Sequence, residues 1–396
     1  IRDRVTVSSA DSVLARSRHE GLDVPPGSSG SIDVQLPGMR AEPGDEFFLT
    51  LEFELTEEWR GLEAGHVLAW EQFRLPLPTR RSGVDEHRSG KITWQEADSV
   101  LTLTGEMTDF QVVFDLKQGT LERYAFGGKD LVTRGPRPNF WRPPTDNDYG
   151  NQMPVRSGLW REASRNQTLH EIEYWQNSDR DVEVYITLHL PDVGSFHTLG
   201  YRVYGNGEMV ITSALEVGAA DLPDLPKFGI SLSLPADLDQ ATWFGRGPHE
   251  SYSDRKTGAP IGVYRAEVAD LSFPYIRPQE TGNRTDVRWV ALSDREGSGV
   301  MAVADPVMEF SALFYEDEDL DEGDAPTHRH QWDLERRETV TLDLDLAQMG
   351  VGGDTSWGAR PHGEYRLPSK AYGYRVRLVP VDLSKRSLAD LAWQRW

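Results

Sequence analysis

From Gly350 to Gly358 the sequence reads Gly-Val-Gly-Gly-Asp-Thr-Ser-Trp-Gly, which places Trp357 in a glycine-rich connection directly after a strand-like run. A core tryptophan normally sits in a strand or helix. One presented on a loop offers a flat apolar face to a sugar ring, an attraction on the order of 0.5–1.5 kcal/mol for a well-formed aromatic contact. Position alone leaves both readings, sugar platform and core packing, open.

A second segment, 139–150, gathers Arg142, Pro143, Pro144, Thr145, Asp146, Asn147, Asp148 and Tyr149 ahead of Gly150. The prolines restrict the backbone, Asx side chains can bond nearby amides, and a glycine permits a positive φ. The expectation is a fixed turn followed by a hinge, with Gly150, Asn151, Gln152 and Met153 as a mobile loop at the mouth of a site. The plainer alternative is that Asp146 and Asp148 brace the turn and pair with Arg142. A third cluster holds Glu250, Tyr252, Asp254 and Arg255, followed by Tyr275, Gln279, Glu280, Asn283 and Arg284. Acid, arginine and tyrosine side by side can bind sugar hydroxyls, or they can lock a loop, with Glu250, Asp254 and Arg255 as a hydrogen-bonded ion network.

Other chemistries lack support. The acidic run 316–324 does not have the spacing of an EF-hand and reads as a solvated loop. His328 and His330 would share one strand face, but no third ligand is signalled, so no metal site is expected. There is no phosphate loop and no G-x-S-x-G elbow. The absence of cysteine removes thiol catalysis, disulfides and cysteine-ligated zinc, and fits a reducing cytoplasm. Forty-two Lys and Arg against 64 Asp and Glu, a formal charge of −22, argue against a nucleic-acid or anionic-membrane partner and favour a neutral one. No apolar run approaches the roughly 20 residues of a membrane span. The opening residues lack signal-peptide features and an initiator Met, so the chain reads as a fragment, a processed subunit or part of a longer protein.

The elements that must position these residues are strands. Period-two alternation recurs at Ile32, Val34 and Leu36, at Phe47 to Leu55, at Val182 to Leu190, at Phe228 to Leu234, at Val340 to Leu346 and at Tyr372 to Leu378. Helical periodicity is scarce, and nothing alternates strand with helix as a (β/α)8 barrel of about 250 residues would. The pattern predicts an all-β chain: a small immunoglobulin-like sandwich over 1–78, whose start can be incomplete, a linker over 79–90, and one large sandwich over 91–396. Ser387 and Asp390 predict a capped terminal helix, with Leu388, Leu391 and Trp393 facing the body.

Taken in order, 61–76, 140–150, 244–255, 274–284, Leu320 with His328, and 352–357 resemble successive landmarks of the C-terminal third of family-2 glycoside hydrolase β-galactosidases. The resemblance implies the end of the immunoglobulin-like domain and then a galactose-mutarotase-like β-supersandwich. It implies a substrate-binding role for Trp357, a loop from Gly150 to Met153 that opens and closes, and structural support from Arg142, Asp146, Asn147, Asp148, Glu250 and Arg255. The implied activity is retaining hydrolysis of terminal β-D-galactosides, lactose-like, by two carboxyls about 5–5.5 Å apart. In the family both are glutamates on a barrel that also holds Mg and Na, so this chain carries no catalytic residue and no cofactor. It needs the remainder of the enzyme, as a barrel domain or a large subunit, and is expected to be inactive alone and oligomeric when complete. Two rival readings are a non-catalytic carbohydrate-binding or docking module and an aldose epimerase. The landmarks match the galactosidase rather than the epimerase, and no convincing acid and base pair is present.

Overall fold

The computed structural model describes residues 1–395 apart from 11, 21–23, 42–44, 78–81, 84–89, 356 and 393. They divide into two compact units, a small one carrying the first four strands and a large one covering 90–260 and 264–392. In the small unit β1 (Arg2–Ser8), β2 (Val13–Glu20), β3 (Phe47–Glu54) and β4 (Val67–Leu75) form one antiparallel sheet of order β2-β1-β3-β4. Val5 and Val7 of β1 are buried, while on the alternate positions Arg4 lies 2.6 Å from Glu52 and 2.7 Å from Glu54. Opposite charges at facing positions reinforce that register. A two-residue strand, β5 (Ser82–Gly83), follows. Most of the expected linker, like the Pro43-Gly44 break, lies outside the described residues.

The expected strand through Ile32, Val34 and Leu36 does not form: 29–41 has no ladder partner, and Leu36 is exposed. Alternation marks a face, but a strand also needs a neighbour to take its backbone bonds.

The large unit opens with a five-stranded antiparallel sheet. It comprises β6 (Ile92–Ala97), β7 (Val100–Gly105), β8 (Phe110–Asp115), β9 (Thr120–Phe126) and β10 (Lys129–Val132), in order β10-β9-β8-β7-β6. Next come β11 (Arg134–Asn139), helices α1 (Asp146–Gly150), α2 (Met153–Arg156) and α3 (Gly158–Arg165), and the long strands β12 (Thr168–Ser178), β13 (Asp181–Leu190), β14 (Ser195–Tyr204) and β15 (Met209–Glu216). The remainder is β16 (Lys227–Pro235), β17 (Gln240–Arg246), β18 (Ile261–Glu267), β19 (Arg284–Ser293), β20 (Ser298–Leu313), α4 (Asp317–Leu320), β21 (Thr339–Gln348), β22 (Tyr372–Asp382) and α5 (Leu388–Ala392), while β23 (Gln394–Arg395) belongs to the small unit, where it pairs with β5. Strands β11 to β22 build a twelve-stranded sheet whose main path is β11-β16-β21-β20-β22-β15-β14-β13-β12.

Both sheets contribute to one core. Leu101, Val112 and Phe114 of the smaller sheet belong to the same apolar cluster as Val184, Tyr201, Ile230, Leu342 and Val376 of the larger. Phe114 meets Tyr201 edge-on across the layers, with ring centroids 5.0 Å apart. Fully burying one such side chain stabilises by roughly 1.5–3 kcal/mol relative to leaving it exposed. This is the large sandwich that the alternation predicts.

A second apolar cluster forms where Met153 and Trp160 of α2 and α3 pack with Phe140, Leu215 and Phe228; Leu215 and Phe228 fall on the same strand face as Ile211 and Ile230 of the main core. The terminal helix forms as expected at Leu388–Ala392, with Ser387 Oγ accepting the Asp390 amide at 3.1 Å and Leu391 buried. Trp393 lies outside the described residues. The acidic run is not a solvated loop. Four of its residues form α4, closed by a reciprocal capping box between Glu316 and Asp319, and Leu320 is buried. Arginines arriving from elsewhere make this possible: Arg134 pairs with Glu316, and Arg337 Nε lies 2.5 Å from Asp319.

Candidate functional site

After β11, Phe140 and Trp141 anchor the chain in the second core, and the backbone then turns into α1. Arg142 is fully buried. Its Nη2 donates to Asp148 at 3.1 Å and to the Gly350 carbonyl at 3.2 Å. Asp148 also closes a capping box with Thr145, accepting the Thr145 amide at 2.9 Å. So Asp148 braces the turn and pairs with Arg142, whereas Asp146, exposed at the helix start, pairs with Arg277 instead. Asn147 Nδ2 donates to the Val351 carbonyl at 3.2 Å.

Gly150 does not supply a positive φ. It ends α1 in ordinary helical geometry, and the left-handed residue is Gln152, at φ 61°. The glycine at 150 eases a different constraint: a Cβ there would stand 3.1 Å from the Gly358 nitrogen, so two backbones pass at close range. Asn151 links the helices and is held by Arg156, while Met153 opens α2 fully buried.

The third cluster forms two networks, not one. Glu250 accepts from Arg255 Nη2 at 2.5 Å, the Gly282 amide at 2.8 Å, Thr281 Oγ1 at 3.3 Å and the Tyr275 hydroxyl. Asp254 takes no part in this. Its two oxygens accept the amides of Val351 at 3.1 Å and Gly352 at 2.9 Å. The adjacent Arg255 is drawn to Glu250, which leaves the Asp254 carboxylate for the neighbouring loop.

These segments enclose a cleft of about 710 Å³ lined by Asp146, Asn147, Tyr252, Asp254, Arg255, Tyr275, Gln279, Glu280, Gly352, Gly353, Asp354, His362 and Tyr365, among others. All three sequence clusters therefore meet in one place. Trp357 lies three residues beyond Asp354, and its indole is 86% exposed. Tyrosine faces with carboxylates, amides and one guanidinium supply the mixture of apolar surface and two-way hydrogen bonding that a polyhydroxylated ligand requires.

Beneath the cleft lies a group of buried charges for which alternation gave no warning. Since Leu342 and Leu344 face the main core, Asp343 and Asp345 project to the opposite side, and there they are buried too. Lys227 Nζ lies 2.8 Å from Asp343 and 3.5 Å from Asp345. Burial opposes its charge, but the two carboxylates prevail and hold the ammonium well above its usual range. A Cβ on Gly229 would collide with Asp345 Oδ1, so that glycine is what admits the carboxylate. Burial pushes Glu309 up to about 7, against the pull of Asn283 donating at 2.8 Å, and it pushes Asp317 up to about 7 as well. Glu280, in the cleft wall, is raised by burial despite Lys227 and Arg142 nearby, and the buried Tyr252 hydroxyl reaches it at 3.3 Å. The sequence signal was present, as charged residues inside otherwise apolar strands, but in a strand such positions ordinarily face water.

One further cleft residue, His362, carried no signal. His362 Nε2 lies 2.8 Å from Asp354 Oδ1, which raises the imidazole pKa. The other histidines do not share a strand face: 327–330 is irregular, His328 is exposed, and His330 stacks on Trp332 with ring centroids 4.4 Å apart. Among the described residues no group of three or more His, Cys, Asp or Glu could hold a metal ion, and no helix is long and apolar enough to cross a membrane.

Comparison with known proteins gives two family matches, to the β-galactosidase small chain over residues 106–378 and to β-galactosidase domain 4 over residues 4–76. A β-galactosidase of Priestia megaterium is 35% identical over 362 residues, covering 91% of this chain and 34% of that protein. One from Lactobacillus delbrueckii subsp. bulgaricus is 32% identical over 371 residues, covering 93% of this chain and 35% of that protein. The chain thus spans about a third of the length of these curated relatives. Among solved structures, a galactose 1-epimerase from Lactobacillus acidophilus covers 73% of this chain and 98% of its own at 10% identity, with a TM-score of 0.35. With one family description matching well over half of its residues and a second fitting the strands before them, the chain belongs to the β-galactosidase small-chain family.

Proposed function

We propose that this chain is the C-terminal part of a β-galactosidase that hydrolyses terminal β-D-galactosides of the lactose type with retention, and that its own contribution is to shape the sugar site and present Trp357 to the substrate. The observation that carries the reading is the convergence of three distant segments on one cleft, beside a loop that bears a freely exposed indole. The two catalytic carboxyls, with their Mg and Na sites, belong to the remainder of the enzyme, which is the chain's obligatory partner. The residues 150–153 rearrange when sugar enters, pivoting at Gln152, whose left-handed backbone is uncommon for a non-glycine residue. The complete enzyme is an oligomer of the cytoplasm.

Trp357→Ala tests the reading directly. In the complete enzyme it should weaken galactoside binding about 2- to 13-fold, the loss of an ordinary aromatic contact, and leave the melting temperature nearly unchanged because the side chain is exposed. A large loss of stability with unchanged substrate affinity would remove Trp357 from the site. This chain purified alone should give no turnover of a chromogenic β-galactoside.

A further inference from the structure

The loop that bears Trp357 leaves β21 at Gln348 and is gripped at once by side chains from two other segments. Arg142 and Asn147 each donate to a carbonyl, of Gly350 and Val351 respectively. Asp254 holds two consecutive amides, Val351 N–H on one oxygen at 3.1 Å and Gly352 N–H on the other at 2.9 Å. Successive amides directed at one anion fix the backbone dihedrals between them, and a charged acceptor makes such bonds roughly twice as strong as neutral ones. The approach is close: a Cβ on Gly350 would stand 2.6 Å from Asp254 Oδ2, so glycine there lets the carboxylate in. Trp357 follows Gly352 by five positions, so a rotation at this stem is carried out to the indole.

We infer that Asp254 is a positioning residue for Trp357, its carboxylate clamping the stem of the loop so that the indole is presented at one place on the rim of the cleft. The inference rests on the proposed role of Trp357 as the sugar platform. Asp254→Asn is the informative change, since it keeps the shape but turns an NH2 group toward one of the two amides. In the complete enzyme we expect faster hydrogen exchange at the Val351 and Gly352 amides and a KM for galactoside raised about 2- to 13-fold, within the range of one aromatic contact, with a smaller change in kcat. In a Trp357→Ala background the same substitution should add no further rise in KM. Unchanged exchange and KM, in an enzyme where Trp357→Ala does raise KM, would overturn the clamp, and so would a KM effect that adds in full to that of Trp357→Ala. Faster exchange with a KM indifferent to both substitutions would uphold the clamp on the loop and sink the sugar-platform role. One measurement needs no variant: in the unmodified enzyme the amides of Val351 and Gly352 should exchange more slowly than those of Asp354 and Thr355, and equal rates would count against the clamp.

Discussion

Glu309 shows how a buried carboxyl group couples this protein to pH. Burial raises the native pKa of Glu309 from an ordinary 4.5 to about 7, so across that interval the folded chain holds a proton that the unfolded chain has released. The stabilising protonation is complete below the unfolded value and is lost as pH rises through the folded one. Stability should therefore fall between about pH 4.5 and 7 by on the order of 3 kcal/mol from this residue. Glu309→Gln, which cannot ionise, should flatten that part of the profile in urea titrations at pH 5, 6, 7 and 8; an unaltered slope would mean the proton sits elsewhere. Removing Lys227 would leave Asp343 and Asp345 buried without their cation, a loss of about 3–5 kcal/mol by comparison with other broken buried pairs. The charges were visible in the sequence, but their burial was not. Asp343 and Asp345 alternate with leucines just as solvent-facing residues do, and only the layer covering that face of the sheet reveals that they are inside.

Among the elements, the connection around Trp357 depends on two glycines that face each other. Gly358 has φ +120°, and a Cβ there would run into the Gly150 carbonyl oxygen at the end of α1. Gly358→Ala should therefore both strain its own backbone and push the loop off the helix, costing about 1–3 kcal/mol. Calorimetry should register that loss, whereas Trp357→Ala should not; equal melting temperatures for Gly358→Ala and the unmodified protein would show that the loop is not seated on α1. Sequence legibility at this scale followed a simple rule. Runs with partners, such as β13, β16, β21 and β22, were readable from period two, because burial on one face imposes it. The run at Ile32, Val34 and Leu36 has the same pattern without a partner, and α1 and α2 are too short for helical periodicity to announce them. The convergence of the clusters on one cleft could be anticipated from family order, but not from spacing, since Asp254 and Gly352 are brought together only by the path of the sheet.

The large unit as a whole is organised around where its last long strand sits. β22 lies between β15 and β20 in the middle of the twelve-stranded sheet, with β15 pairing along Tyr372 to Leu378 and β20 pairing along Val376 to Asp382. The alternation at Tyr372 to Leu378 identified the strand; its central place could not be read, because neighbours in a sheet need not be neighbours in sequence. The position matters during synthesis. A ribosome delivers β11 to β21 first, and until Asp382 has emerged the growing chain holds two part-sheets, one ending at β15 and one at β20, each with an open edge that another chain can pair with. Ending translation before Tyr372 should accordingly give aggregated protein, detectable as loss from the soluble fraction, while ending it after Asp382 should spare the sheet; a soluble product from the shorter message would contradict this order of assembly. A cell making this protein thus carries the risk of misassembly until nearly the last residue of the sheet has been added.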